Sequence, residues 1–169
     1  MGDTKIGLPL SAAPSIIYQT LMRIALFEPD IPQNAASIVR SCACLGVAVD
    51  IIEPCGFLFS DAGFRRAGLD YVERAEMVRH ADWPSFRSRL PGRLVLLTTK
   101  APLPYTALSF AADDTLLLGR ESAGVPDFVH EAADLRVSVP MRPGLRSLNV
   151  AQAAMMVLGE ALRQTKGFP

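Results

Sequence analysis

The sequence lacks an excess of either charge: 17 Lys and Arg stand against 17 Asp and Glu in 169 residues. No basic tail advertises nucleic acid, so any RNA contact is expected to be local. No apolar run approaches the roughly 18 residues of a membrane span, and no membrane partner is expected. Lys5 is the only base among residues 1–21, and Pro9 and Pro14 interrupt the apolar part, so that segment does not read as a secretory signal. Cysteine is scarce and odd in number. Cys42, Cys44 and Cys55 lie in apolar surroundings, which argues against a disulfide framework and for a reducing, cytoplasmic compartment. Positions two apart on a helix do not share a face, so Cys42 and Cys44 make a poor metal pair; the thiols read as core or interface residues, and no metal is expected. Also missing are a G-x-G-x-x-G fingerprint, a phosphate loop ending in Gly-Lys-Ser/Thr, internal repeats and low-complexity segments.

What is present is apolar sequence cut into short lengths. At 50% hydrophobic the chain can bury one core and is short for two. Residues 22–169 read as a single domain, and residues 1–21, which precede a second methionine, as a dispensable extension. Residues 22–27 (MRIALF) form a buried strand bounded by Glu28 and Pro29, Pro32 opens a helix that runs to Leu45 and closes at Gly46, and residues 47–52 form the next strand. Such a unit makes a parallel sheet. After a loop and short helix over 55–69, alternation weakens through 71–81, and Asp82 reads as the N-cap of a short helix ending near Leu90. Residues 93–99, 115–119 and 135–139 are further strands. The closing helix, 148–163, is apolar nearly all round and is expected to be buried, in part against a second subunit. The fold class is therefore α/β, a parallel sheet with flanking helices. Ligands in such sheets bind beyond the carboxyl ends of the strands, which singles out the loops after Phe27, Ile52, Leu97, Leu118 and Val139.

Three of these loops carry candidate chemistry. On the first helix, Ala35, Ile38, Val39 and Cys42 make an apolar stripe, and Arg40 points about 160° from its centre. Asn34 and Arg40 then face a partner, or serve as a cap and a solvated surface residue. In GRESAGVP, Gly119 and Gly124 allow positive φ or close approach, and Pro126 favours a helix start; Glu121 either points into a pocket or caps a turn. In PMRPGLRSLNVAQA, Ser147 sits where an N-cap belongs and Asn149 in the first turn, where free N–H groups and the helix dipole favour an electron-rich ligand. The plainer reading makes these two a cap and a polar residue.

Taken in order, FEPDIPQN with an arginine six residues after the asparagine, IIEPCGF, RRAGLDY, LTTK, the Gly-x-Glu-x-x-Gly-x-Pro loop and PMRPGLRSLNVAQA resemble the SPOUT superfamily of RNA methyltransferases. Within it the likeness is to the small tRNA wobble-nucleotide 2′-O-methyltransferases, and it spans nearly all of residues 22–167. Two features depart from the family. Ala35, Ala36 and Ser37 stand where a glycine and a second asparagine are frequent, and Arg120 stands where a proline commonly precedes the glutamate.

The resemblance implies a C-terminal deep trefoil knot, a rare exception to unknotted connections. It implies S-adenosylmethionine held at Leu97, Gly119, Val139 and Ser147, and a homodimer with a shared active site. The reaction implied is methyl transfer to the ribose 2′-hydroxyl of the wobble cytidine or uridine in the anticodon region of tRNA. Gly119 would suit a close approach of adenosine, and Leu97 and Val139 would offer backbone groups and apolar walls. The implied catalytic set is Arg40, Asn34, Glu121 and Asn149. Because a guanidinium stays protonated, Arg40 is read as gripping the adjacent phosphate and steadying the developing alkoxide, with the proton leaving through that phosphate. Asn34 would orient Arg40, while Glu121 and Asn149 fix the ribose or the arginine. Arg65, Arg66, Arg142 and Arg146 are the expected tRNA backbone contacts, with ordinary surface charge as the other reading of the first pair. The competing functions are methylation at another tRNA or rRNA position, and RNA binding on the same fold without the chemistry.

Overall fold

Short apolar runs without alternation suit strands buried on both faces. In a computed structural model describing residues 21–58, 71 and 74–169, the chain runs β1 (Arg23–Phe27), α1 (Pro32–Leu45), β2 (Ala48–Ile52), β3 (Met77–His80) and α2 (Trp83–Arg87). It continues through β4 (Leu94–Leu97), a 3-10 turn (Tyr105–Ala107), β5 (Thr115–Leu118), α3 (Asp127–Ala132), β6 (Leu135–Val137) and α4 (Val150–Thr165). Among the described residues the strands form one six-stranded sheet, ordered β3-β2-β1-β5-β4-β6, with every pairing parallel.

Period-two alternation sends Ile24, Leu26, Val49, Ile51, Val95, Leu116 and Leu118 to one face, where they pack with α1 and α4. Ala25, Phe27, Ile52, Leu94, Leu96 and Leu117 go to the other, against Phe86 of α2 and Val129 of α3. The result is three layers. The expected apolar stripe of α1 is buried, and Gly46 closes the helix in the left-handed region at φ 66°.

β3 corrects the sequence reading, in which residues 71–81 carried no strand. Among the described residues it is an edge strand paired with β2 alone, and its exposed Arg79 and buried His80 break the apolar signal. α2 is also shorter than expected, ending at Arg87, although Asp82 does cap it by accepting from Ser85 N at 2.8 Å.

His80 belongs to a polar knot between the strands. Asp50, 4% exposed, lies 2.7 Å from His80 Nε2 and accepts from Arg23 Nε at 2.6 Å. Deleting one member of such a buried network strands the others without partners. Asp50→Ala is therefore expected to lower the unfolding free energy by about 3 kcal/mol in urea titrations, and a loss below about 1 kcal/mol would show the network to be dispensable.

Candidate active site

Because β1, β5, β4 and β6 are neighbours in the sheet, their carboxyl-end loops lie side by side. They enclose a cleft of about 440 Å³. Its floor is apolar, from Leu97, Leu118, Val137 and Val139; its mouth is polar, from Asn34, Glu121, Ser147 and Asn149. Four of the five strand-end loops singled out in the sequence, those after Phe27, Leu97, Leu118 and Val139, converge on this cleft, whereas the loop after Ile52 does not line it.

Four polar side chains fasten this mouth. Asn149 is the N-cap of α4, its Oδ1 accepting from Ala151 N at 2.9 Å and Gln152 N at 3.3 Å. Asn149 Nδ2 donates to Asn34 Oδ1 at 2.9 Å, and Asn34 Nδ2 donates to Glu121 Oε1 at 3.0 Å. Glu121 Oε2 accepts from Asp30 N at 3.3 Å, and Asp30 accepts from Glu121 N at 3.0 Å. Asp30 was not singled out from the sequence; its signal was an acidic residue in a strand-end loop just before a proline-opened helix. A second tie between the same loops is the ion pair of Arg120 with Glu28. The arginine that departs from the family pattern thus has a local role.

Several expectations change. Ser147 lines the cleft but is not the cap; α4 begins at Val150 and Asn149 caps it. Asn34 is not a cap either, because Ile31 holds that position of α1 without a side-chain bond. Nor does Asn34 orient Arg40: its amide is engaged by Glu121 and Asn149, and the Arg40 guanidinium stands over the Tyr71 ring, 5.1 Å from the centroid. Arg40 is exposed, as its helical phase requires, and is not among the residues lining the cleft. Gly119 has a structural reason beyond ligand access. A Cβ there would lie 2.4 Å from the carbonyl carbon of Gly124, which itself takes φ 69°. Mutual bonds of 2.9 Å between the backbones of Arg120 and Gly124 close that loop. Leu97 and Val139 line the floor as expected, and Arg142 and Arg146 are exposed on the loop after β6. Arg65 and Arg66 lie outside the described residues.

Burial and the neighbouring Asp30 carboxyl raise the Glu121 pKa above the usual carboxylate range. Asp30, held by hydrogen bonds to Glu121 and Ser122, is lowered to about 2. A carboxylate, two amides and an apolar floor of this size suit an organic ligand with a polar reacting end.

The sequence profile of the SpoU rRNA methylase family matches residues 21–159. The chain belongs to this family. It is 58% identical over 144 residues to a tRNA (cytidine(34)-2'-O)-methyltransferase of Beijerinckia indica subsp. indica, covering 83% of this chain and 90% of that protein. A structure described as giving insights into the 2-OH methylation of C/U34 on tRNA superposes with a TM-score of 0.83 at 34% identity, over 86% of this chain and 97% of the other. The SpoU methyltransferase AviRb of Streptomyces viridochromogenes, solved in complex with the cofactor AdoMet, superposes with a TM-score of 0.75 at 27% identity, over 86% of this chain and 61% of that one.

In this SpoU methylase the capping role can be separated from the lining role by thermal or urea unfolding. Asn149→Ala is expected to cost about 1 kcal/mol, as cap removal does. Ser147→Ala should stay within about 0.5 kcal/mol of wild type. The reverse ranking would return the cap to Ser147.

Proposed function

We propose that this SpoU methylase transfers a methyl group from S-adenosylmethionine to the ribose 2′-hydroxyl of the wobble nucleotide of tRNA, cytidine or uridine 34. The observation that carries this reading is the fastened set Asn34, Glu121 and Asn149 at the mouth of an apolar cleft. It occurs in a chain whose relative, at 58% identity, bears that activity in its name. The residues fit the cofactor. A 440 Å³ cleft with aliphatic walls lies in the range of small-molecule sites. Leu97, Val137 and Val139 offer a surface for a purine, and the loop from Gly119 to Gly124 offers bare backbone.

When bound, S-adenosylmethionine supplies a methyl group activated by its sulfonium. The protein's part is alignment and charge. Glu121 and Asn149 are placed to bind the ribose edge, since both line the cleft and hold each other through Asn34. Arg40, permanently cationic, grips the phosphate next to the reacting ribose and steadies the oxygen as its proton leaves through that phosphate. Arg40 faces away from its own chain's cleft, so we assign it to a site shared within a homodimer. Exposed apolar side chains at Ile31, the N-cap of α1, at Leu148, just before α4, and at Met156, on α4, support a covering copy. The trefoil knot belongs to the same proposal. Its support is the way the chain leaving β6 is tied to the loop after β4, by Ser138 N to Leu103 O and Tyr105 N to Ser138 O, each 2.9 Å. Residues 22–169 then form one catalytic domain, and Arg65, Arg66, Arg142 and Arg146 contact the tRNA backbone.

Arg40→Ala is expected to reduce methyl transfer to tRNA by at least about 100-fold while cofactor affinity, read by calorimetry, changes less than about threefold. Equal losses in both would overturn the division of roles. Mass mapping of tRNA nucleosides from cells lacking the protein should show the 2′-O-methyl group missing at the wobble position, and an unchanged content there would refute the assignment. Replacing Arg142 and Arg146 together with Ala should weaken tRNA binding and flatten its salt dependence by about one charge per lost phosphate contact.

A further inference from the structure

We propose that Asp30 is a positioning residue for the reaction, the group that aims Glu121 into the cleft. The inference rests on the reading above that Glu121 serves the ribose.

The loop from Gly119 to Gly124 is closed on itself by the backbone bonds of Arg120 and Gly124, which hold its shape without directing the Glu121 side chain. Direction comes from the neighbouring loop after β1. The Asp30 carboxylate sits in a nest of successive donors, accepting from Glu121 N at 3.0 Å, from Ser122 N at 3.3 Å and from the Ser122 hydroxyl. The bond is returned, since Asp30 N donates to Glu121 Oε2 at 3.3 Å. This reciprocal pairing fixes both the backbone and the carboxyl of residue 121, as a capping box fixes a helix start. Asp30 is itself held from behind. Gly56 N donates to Pro29 O at 2.9 Å, and a Cβ on Gly56 would come within 2.9 Å of Asp30 Cα, so the loop after β2 presses directly on it.

Two donors converge on the Glu121 carboxyl, the Asn34 amide on one oxygen and Asp30 N on the other. The charged group that meets its carboxyl is Asp30. From α1 it meets the neutral Asn34, with the neutral Asn149 of α4 beyond, and the adjoining Arg120 is engaged by Glu28. Asp30 thus sets the aim of Glu121 and raises the pH at which that carboxyl becomes an acceptor.

The test compares Asp30→Asn, Asp30→Ala and Asp30→Glu in the full-length enzyme, with unmodified tRNA transcript and S-adenosylmethionine as substrates. The Asn and Ala variants should keep a melting temperature within a few degrees of wild type and lose about 10- to 100-fold in kcat, with KM for tRNA changed less than threefold. In Asp30→Asn the acid limb of the kcat profile should move to lower pH, because the neighbouring negative charge is gone. Asp30→Glu should recover part of kcat. The inference is overturned if kcat stays within twofold, or if its loss merely follows the melting temperature with the acid limb unmoved. Glu121→Gln separates the two levels: full activity there would defeat the reading of the site itself, whereas an inactive Glu121→Gln beside a fully active Asp30→Asn would defeat this inference alone.

Discussion

A primary amide can donate and accept in opposite directions at once, and Asn34 uses both. The direction of the chain it joins is not free. The first-turn N–H groups of α4 claim the Asn149 oxygen, so the Asn149 nitrogen must face outward. The Asn34 oxygen is then the end that meets it, and the Asn34 nitrogen must turn to Glu121. An aspartate at residue 34 would set a carboxylate against Glu121, and a leucine would leave Asn149 and Glu121 without this partner. One amide therefore lets a helix start near the C-terminus dictate the acceptor state of a carboxyl on a distant loop.

The sheet makes that joint possible. Placing β5 between β1 and β4 brings the loop bearing Glu121 beside the loop bearing Asp30, although 91 residues separate them in sequence. The packing of α1 and α4 on one face, through Ala35, Val39, Ala154 and Leu158 among others, brings Asn34 within reach of Asn149. The two alanines among them, Ala35 and Ala154, allow the helices to close up. On the other face Phe27, Trp83, Phe86 and Phe128 build an aromatic layer of edge and tilted contacts that supports the end of β1.

Much of this was legible in the sequence, for reasons that also explain what was not. Strands at the centre of a parallel sheet are mostly apolar, so β1, β2, β4 and β5 announced themselves despite Arg23, Asp50 and Thr115, whereas the edge strand β3, with Arg79 and His80, did not. The strand-end loops were identifiable from their glycines and polar residues, and Asn34, Glu121, Ser147 and Asn149 do line one cleft. Which polar residue does what was not legible. Ser147 and Asn149 are both good caps, and two residues' difference in where α4 begins decides between them. The tie between Asp30 and Glu121 is a product of strand order, which no local pattern records. Arg40 was placed correctly on an outer face by helical phase, but its seat on Tyr71 depends on a segment whose periodicity is weak.

The close approach of Gly119 and Gly124 has a consequence of an evolutionary kind. Where the backbone of Gly119 rests on that of Gly124, that part of the cleft wall is peptide groups, and its chemistry does not depend on a side chain. Drift can scarcely retune it, because a side chain at Gly119 collides with Gly124, and one at Gly124 must take a left-handed backbone conformation. The second wall, where the loop after β6 brings Met141 and Ser147 to the cleft and carries the exposed Arg142 and Arg146, is made of side chains and is free to vary. A lineage that keeps its small ligand but changes its large one would leave the first wall untouched and write its history on the second.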